Sequence, residues 1–320
     1  MAQHFLLSAK SRTLSLAKVM RMSEPEAYAM FRALRWAEGE PVCTHCGHAG
    51  AYEYQSRRIF KCKACRRQFS VTGGTVFSHY KLPMRDYLAA IAIFVNAVKG
   101  VSALQLSRDL GVQYRTAFVL AHKLREALAS EQDGVTLAGD IEVDGAYFGG
   151  YVRPENRKED RKDRRYAVNK NGKRKSVVVM RERGGRAVTA VFPTEHASTD
   201  FIMDNVKAGS VVYTDEAPGW DKVRDFFQAY SINHQLAYSD GHICTNQAES
   251  YFSRLRRSEI GTHHFISGRY LDRYAGEMAW RENHRRDDNG SQFVAAGILA
   301  MKPRASAFKG YSQRHIKAAA

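Results

Sequence analysis

Four cysteines constrain this chain more than any other feature. Cys43 and Cys46 stand three positions apart, as do Cys62 and Cys65, and fifteen residues separate the two pairs. This C-x2-C, C-x2-C pattern has the spacing of a tetrahedral four-thiolate zinc site. Each pair sets two thiolates on one tight knuckle and the ion joins the knuckles, so much of the folding energy of such a unit is metal-binding energy. Four thiolates close the coordination shell, which makes the zinc structural and leaves His45 and His48 outside it. The surrounding residues, 41–80, hold short β-prone pieces (AYEYQ, RRIFKC, RQFSV), as a metal-stapled ribbon should. Arg57, Arg58, Arg66 and Arg67 flank the metal and make the ribbon a candidate DNA-binding module. Cys244 stands apart and reads as a free thiol.

On either side of the ribbon the pattern is helical. Ser23-Glu24-Pro25-Glu26 forms a capping box with proline in the first turn, which predicts a helix over 24–36. From Pro83 to Leu128 three apolar-periodic segments follow: MRDYLAAIAIFVNAVKG, VSALQLSRDL and YRTAFVLAHKLREAL. The last two, joined by a short turn containing Gly111, suggest a helix-turn-helix whose second helix, 114–128, offers Tyr114, Arg115 and Thr116 to a major groove. Charge supports that partner. Lysine and arginine number 49 against 33 aspartates and glutamates, a formal +16, and a balance this basic favours a polyanion through phosphate neutralisation and counterion release. Two basic stretches, the run at 151–176 and an aperiodic tail beyond 303, are expected to add nonspecific DNA contact and a flexible end.

Beyond Asp140 the order reads strand, strand, strand, helix, strand, helix, strand, helix, the signature of a mixed α/β domain. Three acidic residues in it invite chemistry. In IEVDGAYFGG, alternation puts Ile141 and Val143 on one face and Glu142 and Asp144 on the other, so the acids are expected to point away from the apolar side. In SVVYTDEAPGW a short strand delivers Asp215 to its C-terminal end, where α/β domains collect their ligands, with Glu216 as a neighbour. In TNQAESYFSRLRR, Ala248, Tyr251, Phe252 and Leu255 mark a buried helical stripe, and Glu249 lies at its edge. Its i+3 and i+4 neighbours, Phe252 and Ser253, are not basic, so an intrahelical ion pair does not explain it. Three converging carboxylates repel one another unless a cation joins them, and oxygen ligands of this kind suit Mg²⁺ or Mn²⁺. Two such ions suit phosphoryl transfer, with a water or DNA 3′-hydroxyl activated at one and the leaving oxygen stabilised at the other. Arg256 is then placed to hold a phosphate.

The ordered set RALRWAEGEPVCTHCG, CKACRRQFSVTGGTVF, IEVDGAYFGG, VVYTDEAPGW, TNQAESYFSRLRR, GTHHFIS and RYLDRYAGEMAWRENHR resembles bacterial insertion-sequence transposases of the ISXO-like group. That resemblance covers nearly the whole chain. It implies an N-terminal zinc ribbon joined to an RNase H-like, DDE-type catalytic core, and an enzyme that cuts at element ends and joins the freed 3′ ends to target DNA. It also implies an oligomer acting on paired ends of double-stranded DNA. Carried over residue by residue, Asp144 and Asp215 match the two catalytic aspartates and the TNQAE motif the third position. Arg256 stands where such proteins often carry lysine. Either Glu249 or Asn246 fills the third position, and a carboxylate is the stronger Mg²⁺ ligand.

The expected organisation is therefore multidomain: an N-terminal helical segment (1–40), a zinc ribbon (41–80), a helical, helix-turn-helix-like region (81–135), an α/β RNase H-like mixed-sheet catalytic domain (136–300) and a basic tail (301–320). Two rivals explain parts of the sequence. One is a zinc-ribbon and helix-turn-helix regulator with an inactive RNase H-like scaffold; the other is a structure-specific nuclease on the same core. No signal-peptide core or membrane-length apolar window is present, so the expected location is the bacterial cytoplasm, on the nucleoid.

Overall fold

The computed structural model of the protein describes residues 5–37, 39–149, 155–162, 172–233 and 239–311. Residues 151–154 and 163–171 of the basic run, and 312–320 of the basic tail, lie outside the described residues. The chain divides into two compact units, one formed by Met1–Glu131 together with His284–Ala320 and the other by Gln132–Asn283.

The first unit opens with a short helix, α1 (Leu16–Met20), and then α2 (Glu24–Arg35). The capping box is formed as read: Glu26 N–H donates to Ser23 Oγ while Ser23 N–H donates to Glu26 Oε2 at 2.7 Å. The ribbon follows as three antiparallel strands, β1 (Ala51–Tyr54), β2 (Ile59–Cys62) and β3 (Gln68–Ser70), matching the three β-prone pieces. Its apolar content is small: Phe60 stacks on Phe69, and both rings meet Trp36 edge-on at the end of α2. Three helices come next, α3 (Met84–Asn96), α4 (Ala103–Asp109) and α5 (Tyr114–Ala129). Ser102 Oγ caps α4 by accepting from Gln105 N–H, and Gly111, at φ +62°, makes the turn into α5.

One helix returns to this unit from the far end of the chain. α10 (Asn289–Met301) packs on α2, α3 and α5, and it lies so close to α2 that a Cβ on Gly297 would stand 2.8 Å from Leu34 Cδ1. The chain therefore leaves the first unit at Glu131 and re-enters at His284, and the two are joined by a bond of 2.7 Å between His284 Nε2 and Glu131 Oε1.

The second unit is built on a five-stranded mixed sheet in the order β6-β5-β4-β7-β8. Its strands are β4 (Asp140–Phe148), β5 (Lys175–Glu182), β6 (Ala187–Phe192), β7 (Val211–Asp215) and β8 (Gln228–Ile232). β4, β5 and β6 form an antiparallel meander, while β7 and β8 run parallel to β4 after crossovers through α6 (Thr199–Asn205) and α7 (Asp221–Phe226). α8 (Asn246–Ser258) and α9 (Leu271–Asn283) complete the unit.

Both faces of the sheet are covered, which corrects the expectation that the acids of β4 point away from apolar surroundings. Ile141, Val143, Val178 and Met180 pack with Ile202, Trp220 and Val223 of the α6 and α7 side. On the other face Ala146, Phe148, Val177 and Val179 pack with Tyr251, Leu255 and Met278 of α8 and α9. The period-2 alternation of β4 is real, but the face carrying Glu142 and Asp144 is a second interior. No helix among the described residues is long and apolar enough to cross a membrane.

Candidate active site and zinc centre

The four cysteines converge as their spacing requires. Cys43 Sγ lies 3.6 Å from Cys65 Sγ, and Cys46 Sγ lies 3.6 Å from Cys62 Sγ. A tetrahedron with Zn–S bonds of about 2.3 Å has S–S edges of roughly 3.8 Å, so the sulfurs fit zinc. All four lie within 4.8 Å of one another, and among the described residues no other group of three or more His, Cys, Asp or Glu does so. His45 instead sets its Nε2 3.3 Å from the Gln68 carbonyl. Backbone N–H groups of His45 and Cys65 donate to the sulfurs of Cys43 and Cys62, the pattern of a metal knuckle. Arg66 and Arg67 are exposed on the second knuckle.

Asp144 and Asp215 are brought together by strand register. Glu142 pairs with Tyr213 across the parallel strands β4 and β7, so two residues further along each strand Asp144 stands level with Asp215, on the same face. Neighbouring strands are about 4.8 Å apart, which sets the scale of their separation. Asp215 ends β7, and its Oδ1 accepts from the Trp220 indole N–H at 2.6 Å and from Ala217 N–H at 3.1 Å. Arg224 Nη2 donates to the Asp215 carbonyl at 2.8 Å and fixes the turn. Glu216 is exposed.

Glu249 reaches the same place from α8, and Glu142 explains how. This carboxylate is 1% exposed and accepts from the N–H groups of Gln247, at 2.7 Å, and Ala248, at 3.1 Å, in the first turn of α8. Thr245, at the N-cap position, makes no side-chain cap, so a strand residue caps the helix, and its charge also complements the helix dipole. Arg183 Nε donates to the other oxygen of Glu142 at 2.9 Å, and Arg183 Nη2 donates to the Cys244 carbonyl just before the helix. The chain is thus clamped to β4 at Glu142, two residues from Asp144, and Glu249 follows in the first turn.

The electrostatics register the convergence. Asp144 is pushed up to about 7, first by burial, with the Gly145 N–H opposing, and then by the charges of Asp215, Glu249 and Glu195. Glu195 is itself raised, by burial and by Asp215. An all-oxygen donor set of like charges fits a hard divalent cation, whose charge would reverse this repulsion.

Comparison with known proteins then bears on what this arrangement belongs to. Residues 136–283 match the ISXO2-like transposase domain, and residues 22–68 match the transposase zinc-ribbon domain of the same family. Together the two spans take in more than half of the chain. The chain belongs to the ISXO2-like transposases.

A relative from Halobacterium salinarum, described as an uncharacterized protein in transposable element ISH50, is 25% identical over 249 residues, covering 74% of this chain and 83% of that one. Two solved structures align loosely. The Mos1 strand transfer complex matches at 13% identity and a TM-score of 0.25, over 70% of this chain and 81% of that chain. A pre-cleavage Mos1 transpososome matches at 14% identity and a TM-score of 0.24, over 69% and 81%.

In this transposase the remaining sequence-predicted residues are spread more widely. Asn246 is exposed at the first position of α8, with its carbonyl accepting from Ser250 Oγ. Arg256 is exposed, its guanidinium 5.2 Å from the centroid of the Phe148 ring at the end of β4. Tyr114, 55% exposed, lies with exposed Arg115 and Thr116 at the start of α5, in the first unit. Arg254 pairs with Glu282 of α9 at 2.9 Å, so the first arginine after Glu249 finds its acid on another helix. Sequence reasoning missed Trp220, Glu195 and the capping role of Glu142. The PGW that follows Asp215 carried a signal for the first; the other two act only across the fold.

Proposed function

We propose that the chain is a DDE-type DNA transposase of an insertion sequence, which binds the ends of its element and catalyses metal-dependent strand cleavage and strand transfer. The observation that carries this reading is that strand register sets Asp144 level with Asp215 while Glu249, in the first turn of α8, acts on Asp144, whose carboxyl is raised to about 7 by burial first and then by these neighbouring charges. The order of strands and crossovers supports an RNase H-like core.

Mg²⁺ or Mn²⁺ held by Asp144, Asp215 and Glu249 would supply Lewis-acid activation of the attacking oxygen and charge neutralisation at the leaving one. The chain's own residues do the rest. Trp220 and Ala217 fix one oxygen of Asp215 and thereby the direction in which the other is offered. Glu142 and Arg183 hold α8 so that Glu249 stays against β4. Arg256, braced on Phe148, presents a cation to a phosphate beside the site. Glu249 is favoured over Asn246 as the third residue because its charge acts on Asp144, whereas Asn246 faces solvent.

DNA recognition falls to the first unit. Arg66 and Arg67 on the ribbon, and Tyr114, Arg115 and Thr116 at the open end of a helix-turn-helix-like pair, form the proposed contacts with the terminal repeats. Function on two element ends implies a homo-oligomer on double-stranded DNA, in the nucleoid.

The test incubates purified protein and Mg²⁺ with DNA carrying the element's own ends. Wild type is expected to cleave and join; Asp215→Ala is expected to do neither. Absence of both reactions in wild type, or their survival in the variant, overturns the reading. Glu249→Gln is expected to abolish activity and Asn246→Ala to preserve most of it; the reverse pattern transfers the third position to Asn246.

A further inference from the structure

We propose that Glu195 is a fourth carboxylate of the Asp144 and Asp215 site, holding the same divalent cation from the loop that follows β6. This rests on the reading of that site as a metal-dependent one and extends it by a ligand that no motif of the sequence marked.

Two glycines make room for this side chain. Gly145 immediately follows Asp144 on β4, and a Cβ built there would stand 2.5 Å from Glu195 Cγ and 2.8 Å from Glu195 Oε1. Gly219 lies between Asp215 and Trp220, and a Cβ there would stand 3.0 Å from Glu195 Cβ and 3.4 Å from Glu195 Oε2. The two bare positions form a slot filled by the Glu195 side chain. Gly145 has no positive φ, so the turn geometry of β4 does not demand glycine there. What the position demands is space for a carboxylate.

The slot also fixes direction. With its stem against Gly219 and its head against Gly145, Glu195 stands beside the neighbours of both aspartates; its charge acts on Asp144, and the charge of Asp215 acts on it. The loop is held from behind: Ser198 N–H donates to the Glu195 carbonyl at 2.9 Å, and Ser198 Oγ donates to the same oxygen at 2.6 Å. Burying a further acid beside two others raises the energy of the cation-free protein, since like charges disfavour one another's ionised forms. A cation shared among them removes that cost and makes use of every added oxygen, because hard divalent ions take six or more. Salt bridging offers no alternative account, as the charges acting on Glu195 come from Asp215 and not from a base.

The experiment compares zinc-loaded wild type, Glu195→Gln, Gly145→Ala and Asp215→Ala for Mn²⁺ binding, with free Mn²⁺ counted by electron paramagnetic resonance, and for thermal melting with and without Mn²⁺. In wild type, Mn²⁺ binding and a rise in melting temperature are expected. Glu195→Gln is expected to weaken binding by about 10-fold or more, and Gly145→Ala, which pushes Glu195 out of its slot, to weaken it in the same direction. Without Mn²⁺, Glu195→Gln is expected to melt above wild type, because one of the repelling charges is gone. A residue with a merely structural role would melt lower. If Asp215→Ala loses Mn²⁺ while Glu195→Gln binds it as wild type does, Glu195 is no ligand and the metal site stands. If wild type binds no Mn²⁺, both readings fall. If Glu195→Gln does not fold, unchanged Mn²⁺ affinity in Gly145→Ala overturns the proposal.

Discussion

The zinc ribbon and the carboxylate cluster of the second unit gather like donor groups in opposite ways. In the ribbon all four ligands come from 23 consecutive residues, Cys43 to Cys65, and the sulfurs already sit at metal-binding distance of one another. In the second unit the acids come from β4, β7, α8 and the loop after β6, and no three of their oxygens lie within 4.8 Å of one another. Thiols are neutral until a metal displaces their protons, so they tolerate crowding; ionised carboxylates do not. A closed four-sulfur shell stores folding energy, whereas an open set of repelling oxygens leaves coordination positions for a substrate. On the proposed reading, stability and chemistry are thus assigned to separate metals in separate units.

Perturbing each cation site in turn tests that contrast. The largest effect is expected from zinc removal or Cys62→Ser, since structural zinc contributes on the order of 10 kcal/mol to small metal-stapled folds. Hydrogen exchange should show the ribbon strands unprotected while the strands of the second unit keep their protection; loss of both together would erase the distinction. Next comes Asp215→Ala, expected to lower strand cleavage on the order of 10³-fold or more, equivalent to several kcal/mol of transition-state stabilisation. Its circular dichroism should match wild type, and a large drop in melting temperature would mean the acid is structural after all.

Glu142→Gln is expected to destabilise the protein by about 2 kcal/mol, because it removes a buried charge-assisted cap and weakens the partner of Arg183. Thermal denaturation measures it, and a neutral result would deny the clamp on α8. The pH dependence has a definite sign. Asp144 is raised from 3.8 to about 7 in the folded state, so between these values the folded protein holds a proton that the unfolded chain has released. The metal-free protein should therefore lose stability as pH rises from about 4 to about 7, and Asp144→Asn should flatten that part of the curve. Mn²⁺ should restore wild-type stability at pH 8. The smallest effect is expected from Arg256→Ala: weaker binding of all DNA sequences alike, with the slope of log K against log salt reduced by about 1.

What the sequence disclosed follows the same contrast. The ribbon could be read whole, because its ligands are close in the chain and its spacing has one chemical meaning. The helix at 24–36, the three helices after Pro83 and the strand-rich order of the second unit were also legible, each carried by a cap or a local period. Asp215 stood out because a strand delivers it to its C-terminal end, and Asp144 because it alternates with Ile141 and Val143 along β4. The burial of Glu142 could not be read, since an acid alternating with Ile141 and Val143 looks solvated until a second layer of helices covers it. α9 stayed hidden for a related reason: Glu277, Arg281 and Glu282 give it a polar pattern, yet all three are buried, with Arg281 paired to Glu277 and Glu282 to Arg181 and Arg254. α10 finds its partners more than 150 residues back, where no local pattern points. β8 begins at Gln228, soon after α7 ends at Phe226, an aromatic left 63% exposed rather than continuing a buried stripe. Glu195 had no local signal at all; the glycines that receive it are 50 and 24 residues away.

The return of α10 to the first unit dictates an order of birth. As the chain emerges from the ribosome, the ribbon can close as soon as Cys65 is out and zinc is at hand. The helices before Glu131 must then wait, their surface for α10 bare, while the whole of Gln132–Asn283 is made. Only when His284 reaches Glu131 and α10 follows does the first unit gain its last helix. The unit proposed to recognise DNA is thus completed after the unit proposed to cut it, and a truncated chain that lacks α10 would carry its acids without a finished reader.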